Sequence, residues 1–107
     1  MEMKGNTDTR EQRPVKSHQL KCDVQFFPAV WDGSKPFEVR RNDRDYRVGD
    51  VLLLDEYNPV PGCSTGRVAM RAVTYVLSHE EFSCGLQPGY VVMGLAYIAN
   101  CTDKDRT

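Results

Sequence analysis

Between Arg67 and Leu77 the side chains alternate: Val68, Met70 and Ala72 fall on one phase, and Ala69, Arg71 and Val73 on the other. A period of two in a run rich in Val, Thr and Tyr is the pattern of a strand, here a long one. A strand of that length exposes backbone donors and acceptors along both edges, so the rest of the chain must supply partners for it. Tyr90 to Ile98 is nearly continuously apolar, which places it as a strand inside a sheet. Shorter candidates are His18 to Cys22 around Leu20, Phe37-Glu38-Val39-Arg40, and Val51 to Tyr57 after the Gly49-Asp50 turn. Asn42 to Tyr46, Asn58-Pro59-Val60-Pro61-Gly62 and His79 to Gly89 separate them and read as turns or loops. One helix is expected, with Asp23 capping its start, Phe26, Phe27 and Val30 at helical spacing, and Gly33 ending it in a left-handed conformation. Pro28 then belongs in its first turn. About five strands with one or two helices read as a mainly β (α+β) fold, a small β-barrel rather than parallel β-α-β units.

The 107 residues suffice for one domain with a core of its own. Residues 1–16 hold no aliphatic run and read as a disordered tail, 17–101 as the folded domain, and 102–107 as a second tail. Fourteen Lys and Arg against fifteen Asp and Glu give a net charge of −1, which disfavours a surface that coats nucleic acid or membrane by bulk charge. Any nucleic-acid contact must come from a local patch or cleft. Cys22, Cys63, Cys84 and Cys101 are never closer than 17 residues, no C-x-x-C occurs, and the histidines are His18 and His79 alone. That spacing implies no metal site and no cofactor, and four free thiols fit a reducing compartment. The N-terminus lacks an apolar signal core, and apolar stretches of about four residues cannot span a bilayer. The expected location is the cytoplasm, without membrane contact.

The densest polar cluster is Gly33, Lys35, Glu38, Arg40, Asn42 and Arg44. The strand period puts Glu38 and Arg40 on one face and Phe37 and Val39 on the other, toward the core. Phe37, Val39, Leu52, Leu54, Val73 and Val92 are accordingly expected to be buried. A carboxylate between two cations can position a phosphate, a base edge or a carbonyl by charge-assisted hydrogen bonds. The same spacing also fits an ordinary solvated ion pair.

Gly33-x-Lys35-x-x-Glu38-x-Arg40 matches the G-x-K-x-x-E-x-R signature of the ASCH family. His18-Gln19-Leu20-Lys21, Phe27, Asn42-Asp43-Arg44, Val48-Gly49-Asp50, Glu56-Tyr57, Thr65-Gly66-Arg67, Val73-Thr74-Tyr75 and Gly89 to Met93 follow in order. Over roughly residues 17 to 96 the chain resembles small uncharacterised ASCH-like proteins of bacteria and phages. The resemblance implies a PUA-like barrel with a cleft between helix and barrel, lined by Lys35, Glu38 and Arg40. The expected function is RNA or nucleotide binding without catalysis. Lys21, Lys35, Arg40, Arg44 and Arg67 would contact phosphates, Glu38 and Asn42 would complete the polar cleft, and Tyr57, Tyr46 or Tyr90 would stack on an unpaired base. One alternative is a small hydrolase acting on RNA or a modified nucleoside, with Lys35 and Glu38 as candidate catalytic residues. Related amidohydrolases carry a Thr nucleophile where this chain has Glu38, and a carboxylate cannot repeat that role. The other alternative is a protein-interaction module of phage or mobile-element origin, using the loops Asn58–Thr65 and His79–Pro88. Oligomeric state is left open.

Overall fold

The computed structural model describes residues 14–102; most of both expected tails, 1–13 and 103–107, lies outside the described residues. Among the described residues five strands form: β1 (Ser17–Asp23), β2 (Phe37–Arg41), β3 (Val51–Asn58), β4 (Cys63–Ser78) and β5 (Tyr90–Cys101). One short helix, α1 (Phe27–Trp31), follows β1, and a 3₁₀ turn (His79–Glu81) follows β4. The strands build a single sheet in the order β1-β3-β4-β5-β2. β1 pairs with β3 in parallel, and every other pairing is antiparallel. The sheet curls into a half-barrel, so the expected mainly β, barrel-like architecture holds. β5 is an inner strand, as its apolar run implies, and the sixteen-residue β4 lies at the centre.

The curl comes with breaks in register. β4 slips against β5 at Met70/Arg71 and again at Val73/Tyr75, and against β3 between Asp55 and Tyr57. An extra residue on one side of a ladder bends the strand and increases its twist. Inside the curve lie Leu20 and Cys22 of β1, Phe27 and Val30 of α1, Leu52 and Leu54 of β3, Ala69 and Val73 of β4, and Val91 and Met93 of β5. Leu52, Leu54 and Val73 are buried as expected. Val92 is half-buried, because its neighbours Val91 and Met93 take the inner face.

The expected face of β2 is corrected. Phe37 and Val39 are 42% and 46% exposed, whereas Glu38 is 4% exposed and lies opposite Met93. One step of phase exchanges every side chain between the two faces of a strand. The apolar pair at positions 37 and 39 is a poor guide here because β2 is an edge strand. Its inner face looks onto the gap between the two ends of the sheet, where polar side chains find partners.

The helix is also shorter and differently capped than expected. Asp23 ends β1 and accepts a hydrogen bond from the Gln25 amide at 2.8 Å, while Phe26 occupies the N-cap without a side-chain bond. Five residues cannot sustain a helix alone. Arg71, on the inner face of β4 and 4% exposed, fastens it by donating to Val30 O at 2.8 Å. The same guanidinium donates to Met70 O and Ala99 O, and its burial lowers its pKa from the usual arginine value. Asn100 Nδ2 donates to Trp31 O at 2.9 Å. Gly33 adopts φ +87°, the left-handed stop expected of it, so the chain can turn back toward β2.

At the opposite end of β1, His18 Nε2 lies 2.8 Å from Asp50 Oδ2, and Asp50 also accepts from the Lys16 and Arg47 amides. The His18 ring meets Tyr46 edge-on with centroids 4.8 Å apart. The Gly49-Asp50 turn is thus structural, as its sequence implies. Tyr46 is core, buried beside His18, and is not available as a stacking platform.

Candidate functional site

β1 and β2 are the two edges of the sheet, and side chains rather than a backbone ladder join them. Arg40 donates to Lys21 O at 2.7 Å and Arg44 to Gln19 O at 3.1 Å. Gln19 and Lys21 are two apart on β1, so their carbonyls point to the same edge. Two arginines therefore satisfy the acceptors that an open edge leaves unpaired.

The signature residues form the inner part of this seam. Glu38 Oε2 accepts from Arg40 Nε at 2.7 Å, with Arg40 Nη2 at 2.6 Å, and Oε1 accepts from Lys35 Nζ at 3.2 Å. Lys35 Nζ also donates to Phe37 O at 3.1 Å. Its backbone amide donates to Ala29 O, so the end of α1 sets where the ammonium can reach. A buried carboxylate is tolerated when opposite charge and hydrogen bonds both compensate it, and Glu38 has both. Cys22 lies behind this group; burial, with a contribution from Glu38, pushes its thiol up to about 11. The thiol is therefore protonated near neutral pH.

A cleft of about 480 Å³ opens over the seam. Lys21, Lys35, Glu38, Arg40 and Arg41 supply its polar lining, and Phe26, Val39 and Tyr90 its apolar walls. Lys35, Glu38 and Arg40 of the signature all line this cleft, and Lys21 and Tyr90 line it too. Tyr57 supports Lys21, whose ammonium sits 4.5 Å from the ring centroid. Arg44 lines an adjoining hollow of about 200 Å³. Asn42 serves the backbone: its Oδ1 accepts from the Tyr46 amide, and its own amide donates to Gly89 O. Three lining residues, Arg41, Phe26 and Val39, escaped the sequence reading, Val39 because it was expected to face the core. Arg41 falls on the phase opposite the signature, and Phe26 reads as one of the apolar positions of the helix.

Arg67 does not join the cleft. It forms a second carboxylate clamp, donating to Glu56 from Nε at 2.8 Å and from Nη2 at 3.0 Å, while Thr65 Oγ1 adds a bond at 2.5 Å. The break in register between Asp55 and Tyr57 makes this possible. There Glu56 alone faces Thr65, Gly66 and Arg67, and Gly66 at φ +101° lets the chain wrap the carboxylate. The guanidinium stacks 4.8 Å from the Trp31 ring and 5.3 Å from that of Phe27. The two hydrogen bonds from Arg67 hold the Glu56 pKa below its ordinary value, Thr65 helping and burial opposing.

Residues 17–95 match the model of DUF3850, a domain of unknown function. The chain belongs to this family. It is also similar to an uncharacterized 12.9 kDa protein from the GpA 3′ region of Escherichia phage P2, at 39% identity over 68 residues. That stretch covers 64% of this chain and 61% of the phage protein, so the match spans somewhat under two thirds of that relative. In this DUF3850 chain the matched region holds four described strands whole, the first half of β5, and both carboxylate clamps.

The chemistry open to the cleft follows from which donors are already committed. Both Glu38 oxygens accept from cations, so the carboxylate acts as a counter-charge that fixes Lys35 and Arg40. Among the described residues, the head groups of Lys21 and Arg41 meet only aromatic faces, Tyr57 and Tyr90, the latter 5.3 Å from Arg41. Among the described residues, no three His, Cys, Asp or Glu side chains gather as a metal site would require, and no helix is long and apolar enough to cross a membrane.

Proposed function

We propose that this DUF3850 protein is an ASCH-like, PUA-like RNA-binding module that works in the cytoplasm and uses the seam cleft. The observation that carries the reading is a local concentration of charge. Lys21, Lys35, Arg40 and Arg41 converge on one cleft beside Phe26 and Tyr90, in a chain whose net charge is −1. Cations beside aromatic faces are what unpaired nucleotides require, the first for phosphate and the second for the base. The paired state of Glu38 favours binding over general-base catalysis, because its oxygens are occupied before any substrate arrives.

The test is binding of a mixed single-stranded RNA pool to wild type and to Glu38→Gln, with the recovered RNA examined for cleavage or altered nucleosides. Salt-sensitive binding that leaves the RNA unchanged supports a reader module. RNA altered in a Glu38-dependent way would assign the protein to the hydrolases, and absence of binding would refute the RNA reading and favour a protein partner.

A further inference from the structure

The cleft has two sets of cations, and they differ in what they already hold. Arg40 spends Nε and Nη2 on Glu38 and Nη2 on Lys21 O. Lys35 spends its ammonium on Glu38 and Phe37 O. Arg40 Nη1 and one ammonium N–H of Lys35 are left over, but Glu38 already offsets one of their two charges, so this pair attracts a phosphate less than two cations without a carboxylate partner. Lys21 and Arg41 are exposed and, among the described residues, bound to no carboxylate. A guanidinium lying over a ring keeps the N–H donors around its rim, and an ammonium over a ring keeps those pointing away from it. One of the pair stands on β1 and the other on β2, so together they flank the seam.

We infer that ligand contact is made by Lys21, Arg41, Tyr90 and Phe26, that Lys35, Glu38 and Arg40 are positioning residues, and that the ligand is one unpaired nucleotide carrying a phosphate. The inference rests on the RNA-binding reading and names its chemistry. The two free cations take the phosphate. Tyr90, already backed by Arg41, and Phe26 offer aromatic faces to the base. A cleft of about 480 Å³ falls among small-ligand sites, which run roughly 300–1,000 Å³. It is a recess, and a duplex presents its bases stacked and paired, with none free to enter.

The experiment uses the full chain and three probes: a short mixed-sequence single-stranded RNA, the same RNA as a duplex, and a nucleoside monophosphate. Lys21→Ala with Arg41→Ala is compared with Lys35→Ala, and thermal midpoints are recorded alongside affinity. The double variant is expected to melt like wild type and to bind the single strand at least about tenfold more weakly. Its log–log salt slope should be shallower by about 0.7, the value for one lost single-strand phosphate contact, since both cations hold the same phosphate. Lys35→Ala is expected to lower the melting midpoint and weaken binding while leaving the salt slope unchanged, and Lys35→Arg, which keeps the charge on Glu38, is expected to rescue both. Competition by the monophosphate would identify a free nucleotide as a sufficient ligand; competition only by the single strand would identify a nucleotide within RNA. Both results support the inference. It is overturned if wild type binds RNA and the Lys21/Arg41 variant binds equally well, or if duplex binds as tightly as single strand; the RNA reading survives either result. If wild type binds none of the probes, the RNA reading itself fails.

Discussion

Glu38 and Glu56 are nearly the same chemical object in two settings. Each is an inward carboxylate, 4% and 6% exposed, and each is gripped by an arginine. Cys22 lies between them, level with Glu56 in the β1–β3 ladder and within the field of Glu38. Around Glu56 the bulge supplies Thr65 and Arg67 from one strand, and Trp31 and Phe27 stack on the guanidinium from outside. That clamp is closed. Around Glu38 the donors come from the α1–β2 connection and from β2, and Arg40 reaches on to a β1 carbonyl. That clamp closes an interrupted sheet and leaves a cleft above itself. The same ion pair is local reinforcement in one place and the floor of a candidate binding site in the other.

The comparison breaks most sharply at Glu38. Glu38→Ala leaves Lys35 and Arg40 without their counter-charge at the seam. Removing one member of a buried pair costs about 3–5 kcal/mol; because the two cations are partly exposed, the lower end, about 3 kcal/mol, is expected. Chemical denaturation should show this loss together with loss of RNA binding. A stable Glu38→Ala variant would mean that the β1 and β2 edges are held by something other than the signature cluster.

Glu56→Gln is the matched change at the closed clamp. It keeps the shape of the side chain and is expected to cost about 1–2 kcal/mol near neutral pH, in the range of charge-assisted hydrogen bonds. RNA binding should not change, since Glu56 lies outside the cleft. The pH dependence has a definite sign. The folded-state pKa of Glu56 lies below its ordinary 4.5, so its stabilisation is present above about that pH. It is lost as pH falls through the lower folded value. Wild type and Glu56→Gln should therefore differ at pH 7 and converge under acid. Curves that stay parallel down to strongly acidic pH would remove the ion pair as the source of the difference.

What the sequence made legible follows the same division. The alternation of Arg67–Leu77 and the apolar run of Tyr90–Ile98 located the two longest strands, because strands paired on both edges carry a strong pattern. β2 was found but turned over, since Phe37 and Val39 look like core residues and nothing local reveals that the strand lies at an edge. The proximity of Lys35, Glu38 and Arg40 survived the error, because neighbours on one phase stay together whichever face they occupy. Arg67 was expected among the phosphate contacts, whereas the structure gives it to Glu56. Its partner Glu56 lies eleven residues away across a register break, and break positions depend on the paired strand. Arg71 shares its phase with Ala69 and Val73, but the alternation names no partner for its charge; its role under α1 exists only once the helix has packed there.

The finest distinction concerns the outer arm of the seam. Arg44 bonds Gln19 O, yet its side chain is 47% exposed and its nearest carboxylate, Asp43, is 4.0 Å away. Arg44→Ala should therefore cost only about 0.5 kcal/mol, the scale of a single exposed polar contact. Such a loss is small in a global melt but visible where the seam opens locally. Cys22 provides the probe, because it lies behind Arg40 and is 3% exposed, whereas Cys63 and Cys84 are exposed. With a thiol pKa near 11, Cys22 should alkylate slowly at pH 8 and the two exposed cysteines rapidly. If local opening of the seam limits its labelling, Arg44→Ala should speed Cys22 modification about twofold, the factor that corresponds to about 0.5 kcal/mol, and leave Cys63 and Cys84 unchanged. An unchanged Cys22 rate would assign the whole closure to Arg40, making the seam a single latch at the cleft floor instead of a two-point suture along the sheet edge.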